Sequence, residues 1–402
     1  MKSVLFLVHR IPYPPDKGDK IRSYNILRFL SDHYRVFLGA FVDDPGDYSH
    51  RPHLESYCEE LFLRNVGGIR SKIGAALSIP RLRALGVGYY NDIEMSRWVD
   101  AVIEREKIDG ILIFSSVMAQ YIPGDRAKDL SVVADFVDVD SDKWRQYSQR
   151  TRWPLSMVYG YEAWALERWE RSVAATVDAV TLVSDTETAL MRTSISGGRP
   201  VTVRNGVEVD YFDPHGSYES PYEANTRVIV FTGAMDYFAN EEAVTWFVEE
   251  IWPEIFASDR SLAFFVVGSN PTRAVRELGQ VAGVAVTGRV PDIRPYLAFA
   301  SVAIAPLKLA RGVQNKVLEA LAMNVPVVAT PNALQGLDDD LPASVLVAER
   351  GPVFARLLLE GLASKDSFAA SGGREFVATN YAWSSNLAEF SNLLFSDAGA
   401  AS

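Results

Sequence analysis

The chain has 402 residues, 48% of them hydrophobic and 23% charged, which supplies two core-bearing domains and excludes a disordered protein apart from the last residues, SDAGAAS. A formal net charge of -11 argues against a nucleic-acid partner, because backbone binding needs a surplus of Lys and Arg on one face. The single Cys58 excludes an intramolecular disulfide and a CxxC zinc site, and points to a reducing compartment.

The N-terminus, MKSVLFLVHRIPYPP, carries an apolar run that stops at His9 and Arg10 without a small-residue cleavage site, so it reads as a first β-strand and not as a signal peptide. No run approaches the roughly 20 apolar residues that span a bilayer. The expectation is a cytoplasmic protein with at most a peripheral membrane contact.

The strand is followed by HRIPYPPDKGDKIRSYNIL, whose prolines hold off helix until about Lys17. Gly18 allows close backbone approach, and Lys17, Asp19, Lys20 and Arg22 cluster at a helix N-terminus. These charges read either as an anion-facing group or as a solvated, proline-stiffened connection. No GxGxxG follows, which disfavours a dinucleotide oxidoreductase. His9, at the carboxyl end of the strand, is a cleft candidate or a backbone partner.

Further strands are expected at 36–41, 110–114, 132–136, 179–183 and 201–203, with helices at 20–30, 92–106 and 156–176. Between residues 61 and 83, Arg64, Arg70, Lys72, Arg81 and Arg83 occur with no acidic residue. In an acidic chain this stretch suggests a surface for anionic lipid or a phosphorylated acceptor, or an ordinary basic patch, and Gly67, Gly68 and Pro80 suggest mobility. The run ADFVDVDSDKW offers Asp135, Asp138, Asp140 and Asp142 at a strand end. Such carboxylates serve as a general base, a metal site or a helix cap; Asp138 is the favoured catalytic residue, and a metal is disfavoured because no His is near and no EF-hand pattern fits.

A polar stretch, DYFDPHGSYESPYEANT, interrupts the pattern, and a linker is expected at 205–226. A second series of strands follows at 228–232, 262–267, 284–286, 302–305, 325–329 and 345–347. Short apolar runs alternating with helical patterns are the mark of parallel sheets with crossover helices, here two Rossmann-like units facing each other across a ligand cleft. In VFTGAMDYFANEEAVTWF, Gly233 ends a strand and Asn240 is placed to cap the next helix. In VAVTGRVPDIRPYL, Gly288, Arg289 and Val290 stand where backbone groups read a nucleobase edge.

RGVQNKVLEALAMNVPVVAT, from Arg311 to Thr330, reads as loop, helix and buried strand. At about 100° per residue, Val313, Val317, Leu318, Ala320 and Leu321 share one arc while Asn315, Lys316 and Glu319 share the other. A cation for phosphate beside a carboxylate for a ribose diol, near a helix N-terminus, is what holding a sugar nucleotide requires. The alternative is an exposed face bearing two unrelated charges.

Taken together, RNGVEVDYFDP, FTGAMDYFANEEA, VTGRVPDIRPYLAFASVAIAPL, KVLEALAMNVPVVAT and YAWSSNLAEFSNLL resemble the GT-B glycosyltransferases, and within them the retaining family 4, over nearly the whole chain. PYPPDKGDKIRSYNILRFL with DFVDVDSDKWRQYS resembles the subgroup associated with exosortase and exopolysaccharide loci. The resemblance implies an acceptor domain over 1–205, a nucleotide-sugar donor domain over 206–383, and a C-terminal helix at 384–396 crossing back onto the first. It implies that Glu319 holds the ribose hydroxyls, that Lys316 approaches the diphosphate and that Gly18 turns backbone amides to the donor. Gly233, Arg289, Val290 and Asn315 complete the expected donor site, with Lys17, Asp19 and Arg22 on the acceptor side.

Two departures stand out. Arg311 occupies a position where the family has a glutamate, and the family's basic pair is replaced by Met235, Asp236 and Asn240. Charge neutralisation is then expected from Arg289, Arg311 and Lys316, with Arg311 and Asp138 as the catalytic candidates. The implied activity is metal-independent, cofactor-free hexosyl transfer from a nucleoside diphosphate sugar to a saccharide or lipid-linked acceptor. A nucleotide-sugar epimerase and a sugar-nucleotide-binding partner without catalysis remain as alternatives.

Overall fold

The computed structural model describes residues 1–124, 130–195, 198–224, 226–310, 313–337, 340–349, 351–363 and 372–395. The chain forms two compact units, Met1–Val203 together with the chain from Leu387 onward, and Arg204–Asn386.

The first unit is built on seven strands: β1 Ser3–Val8, β2 Arg35–Val42, β3 Glu60–Asn65, β4 Gly110–Phe114, β5 Ser131–Val137, β6 Ala179–Leu182 and β7 Pro200–Thr202. All are parallel, in the order β3-β2-β1-β4-β5-β6-β7. Parallel strands covered on both faces need apolar residues at every position, and both SVLFLV of β1 and GILIF of β4 are buried throughout. That is why they stand out as continuous apolar runs.

The second unit carries β8 Arg227–Thr232, β9 Leu262–Val267, β10 Val284–Gly288, β11 Val302–Ala305, β12 Val327–Ala329 and β13 Val345–Val347, again parallel, in the order β10-β9-β8-β11-β12-β13. Both sheets are doubly wound. The strand order reverses between β1 and β4 and between β8 and β11, and open sheets of this kind bind ligands beyond the carboxyl ends of the strands at that reversal.

Two elements differ from the sequence expectation. β3 begins the basic segment that reads as mobile; an edge strand is paired on one side only, and in ELFLRN only Leu61 is buried, so no long apolar run marks it. The acidic run after β5 leads into a helix, Asp140–Arg150, as the helix-cap reading allows, but the residue before it is Val139 and no aspartate side chain caps it.

The last helix, Trp383–Phe395, starts in the second unit and joins the first from Leu387. Phe390 and Leu394 are buried, the Tyr34 hydroxyl donates to Ser391 Oγ at 2.7 Å, and Ser131 Oγ donates to the Leu393 carbonyl at 3.2 Å.

Candidate functional site

In the second unit the site starts from two glycines. Gly233, just after β8, has φ +155°, and a Cβ there would lie 2.8 Å from Asn240 Nδ2. Gly268, just after β9, has φ +157°, and its Cβ would fall 1.7 Å from the Gly233 carbonyl oxygen. Only glycine at both positions lets the two strand ends close on each other. The Gly233 N–H donates to the Val267 carbonyl at 3.1 Å and that of Gly268 to the Gly288 carbonyl at 3.2 Å.

Asn240 lies in the first turn of the helix Phe238–Trp246 without capping it; Tyr237 is the residue before the helix and no side chain caps that end. Instead, Asn240 Nδ2 donates to the Ala234 carbonyl at 2.8 Å, which turns Oδ1 toward Lys316, whose Nζ donates to it at 2.8 Å. The lysine ammonium also lies 5.0 Å from the centroid of the Phe231 ring. A side chain 76 positions away therefore holds the cation in place.

Lys316 is the second residue of the helix Asn315–Ala322. Val317, Leu318, Ala320 and Leu321 face the core, while Asn315, Lys316 and Glu319 keep some surface open to solvent although protein atoms crowd the two charged groups. Burial lowers the Lys316 ammonium to about 8 against the opposing pull of Glu319. Burial likewise raises the Glu319 carboxyl to about 7 against the pull of Lys316. The pair is thus poised to gain from a ligand that supplies the missing interactions: a phosphate for the lysine, hydroxyl donors for the glutamate. Asn315 Oδ1 is buried and accepts no hydrogen bond among the described residues.

Around this pair, Tyr211 stacks under the Arg294 guanidinium at 3.9 Å and senses the Glu319 charge, while Asp292 grips Arg294 at 2.7 Å. Gly288 has φ +70° and open space where a Cβ would be. Arg289 is exposed and Val290 packs against the core. Arg311 lies outside the described residues.

In the first unit, Lys17 precedes the helix Gly18–His33 and is exposed, and no atom lies within 4 Å of a Cβ built on Gly18. Asp19 is held by Arg10 Nη1 at 2.6 Å and faces His9 Nε2 at 3.5 Å. Burial raises its pKa, but the His9 hydrogen bond and the Arg10 charge outweigh that and hold the carboxyl well below the usual range. Asp19 is therefore a fixed negative charge and not a proton carrier. Arg10 also reaches Asp43 at 3.0 Å, and His9 stacks on Phe114 with ring centroids 5.7 Å apart.

Arg22 sits elsewhere than the sequence suggests. It is buried, with Nε donating to Asp135 Oδ2 at 2.7 Å and Nη2 to Oδ1 at 3.0 Å, and Thr181 Oγ1 donates to the same carboxylate at 2.8 Å. The guanidinium ties its helix to β5 and β6 from inside and is an internal bond, not an acceptor-side group.

Asp138 follows Val137, which has φ +72° and closes a γ-turn in which the Asp138 N–H donates to the Phe136 carbonyl at 2.9 Å. A β-branched residue in that region costs on the order of 1–3 kcal/mol and persists only where the surroundings hold it. Glu187 accepts from the Val139 N–H at 2.8 Å, and Glu170 accepts from the N–H and hydroxyl of Ser141. Burial pushes Glu170 up to about 8. Asp140 and Asp142 pair with Lys143 and Arg145 on their own helix. Of the four aspartates, Asp138 alone stands on the strained turn. No group of three or more His, Cys, Asp or Glu placed to hold a metal occurs among the described residues.

Sequence reasoning did not find the Asn240 relay or the buried glutamates. A signal existed for Glu162 and Glu170, which fall on the same helical arc as Leu166 and Val173; two acids on an apolar stripe indicate internal partners.

Residues 226–360 match the family described as glycosyl transferases group 1. That segment holds Gly233, Asn240, Lys316 and Glu319. The fold is GT-B. Sucrose-phosphate synthase from Thermosynechococcus elongatus is similar with a TM-score of 0.68 at 17% identity, covering 98% of each chain. A glycosyltransferase from Rickettsia africae gives 0.65 at 14% identity over 98% of this chain and 100% of its own. Anabaena Alr3699/HepE, described in complex with UDP and glucose, gives 0.65 at 14% identity over 98% and 99%. Comparison with curated proteins gave no match. No helix among the described residues is long and apolar enough to cross a membrane.

Proposed function

We propose that this GT-B chain is a retaining, family 4-like hexosyltransferase that moves a sugar from a nucleoside diphosphate sugar to a hydroxyl of a lipid-linked saccharide, in the assembly of an exopolysaccharide. The observation that carries the reading is the Lys316 and Glu319 pair, oriented by Asn240 beside Gly233, within the segment that matches the group 1 family. Lys316 would meet the diphosphate and Glu319 the ribose diol. The similar Anabaena protein is described with UDP and glucose, which makes UDP-sugars the first donors to try.

In the reaction the bond from the anomeric carbon to the β-phosphate oxygen breaks and the electron pair leaves with the diphosphate. The acceptor oxygen bonds to the same face of the oxocarbenium-like sugar, and its proton passes to the departing phosphate oxygen. The chain's part is positioning and neutralisation of the leaving group, with Lys316, Arg289 and Arg311 as the cations and no metal demanded. Asp138 is the carboxylate offered to the acceptor.

The test is turnover and anomeric analysis with a panel of nucleotide sugars and saccharide acceptors, with and without EDTA. Transfer with retained configuration in EDTA is expected. Sugar interconversion without acceptor would identify an epimerase, and donor binding without transfer to any acceptor a non-catalytic binding partner.

A further inference from the structure

The helix Gly68–Ser78 is built inside out. Its inner face carries small residues: a Cβ on Gly74 would lie 2.3 Å from the Gly88 carbonyl oxygen, and Ser78 is buried with its hydroxyl on the Gly74 carbonyl. Its outer face carries Ile69, Ile73 and Leu77 at four-residue spacing, exposed by 77%, 52% and 51%. An ordinary surface helix turns its large apolar residues inward. Here the aliphatic stripe points at solvent.

The stripe does not stand alone. Ile79 and Leu82, in the turn that follows, are exposed, and the Tyr161 hydroxyl donates to the Arg83 carbonyl at 3.0 Å, docking this turn on the helix Leu155–Ala174. One turn before Tyr161, Met157 and Val158 are exposed as well, and Trp153 just ahead of the helix is 76% exposed. Isolated exposed apolar side chains are common, but so many on two elements joined by the Tyr161 hydrogen bond mark an interaction surface.

Charge identifies the partner. Residues 66–91 contain no Asp or Glu, nor do residues 143–161, in a chain whose net charge is -11. Arg70, Lys72, Arg83, Arg150 and Arg152 are exposed, and none has an ion-pair partner among the described residues. A second copy docking through the same patch would set these cations against themselves. Aliphatic residues flanked by cations, with a tryptophan at the margin, match the boundary between headgroups and acyl chains of an anionic bilayer.

We infer that this face of the first unit, formed by the helix Gly68–Ser78, the turn to Arg83 and the start of the helix Leu155–Ala174, docks on an anionic lipid surface. Its geometry is independent of the donor site, so this proposal and the transferase reading fail separately. The patch inserts its aliphatic stripe shallowly, while the cations draw an otherwise acidic protein to the membrane in one orientation.

The test is flotation of the full chain with phosphatidylcholine vesicles, with or without about one-third phosphatidylglycerol. Binding to the anionic vesicles alone is expected. Arg70→Ala with Lys72→Ala should weaken partitioning on the order of 25-fold, at about fivefold per cation. Ile69→Ser with Ile73→Ser and Leu77→Ser should abolish flotation while leaving the melting temperature unchanged, because these side chains are exposed. Trp153→Phe should reduce the blue shift of fluorescence on vesicle binding. No flotation of the wild type, or flotation that neither set of substitutions changes, overturns the proposal. So does a sedimentation result in which the wild type self-associates and Ile73→Ser makes it monomeric.

Discussion

Replacing Lys316 with methionine separates the cost of the proposed donor site from its use. Methionine keeps the length of the side chain and removes the charge that burial disfavours. The depression of the ammonium from 10.5 to about 8 sets an upper bound of about 3 kcal/mol on what the free protein forfeits by holding that charge. Partial solvent access reduces this to on the order of 1–2 kcal/mol. Against it stands the loss of the 2.8 Å hydrogen bond to Asn240, worth about 1 kcal/mol net, while Glu319 takes up a proton in place of its lost partner. The expected outcome is a melting temperature unchanged or raised by about 2–4 °C in differential scanning calorimetry. Donor turnover should fall on the order of 100-fold, the usual effect of removing one strong group from a site that stabilises a developing charge. A variant that melts several degrees lower yet binds nucleotide sugar as well as the wild type would refute the argument and make Lys316 a structural residue.

The same pair predicts a pH dependence with a definite sign. Lys316 must be charged to meet a phosphate, so donor affinity measured by calorimetry should fall as pH rises through about 8, and Lys316→Met should remove that limb. For stability the sense is opposite: the unfolded chain holds more protons on Lys316 between about pH 8 and 10.5, so this residue's contribution rises with pH there, whereas Glu319, raised to about 7, contributes stability that is lost as pH rises from about 4.5 through 7. Asp135→Asn leaves the Arg22 charge buried without its counter-ion and should cost about 3–5 kcal/mol in urea unfolding, far more than Asp135→Leu combined with Arg22→Met. Gly268→Ala forces a Cβ against the Gly233 carbonyl and should reduce nucleotide-sugar affinity through the displaced strand ends, whereas Gly18→Ala meets open space and should leave the melting curve unchanged.

The two sheets and the amphipathic helix at 315–322 were legible because each rests on local pattern. A parallel strand buried on both faces is an unbroken apolar run, and a helix packed on one side repeats its apolar residues every three to four positions. One weaker element escaped for the same reason: β3 is an edge strand with one buried residue. Local pattern also cannot tell which charges face solvent. Lys17, Lys20 and Arg22 look alike in the sequence, but only packing decides that Lys17 is exposed and that Lys20 and Arg22 are buried against Asp47 and Asp135.

The sequence by itself determined the two series of parallel strands and the helix face that brings Lys316 beside Glu319, because these depend on residues a few positions apart. Only the tertiary structure decided that Asn240, 76 positions away, orients that lysine, that Arg22 spends its charge 113 positions away on Asp135, and that Ile69, Ile73 and Leu77 point outward. The physical reason is that the direction a side chain faces, and the partner it meets, are set by what packs on the element from elsewhere in the chain, and the period of the element carries no record of that.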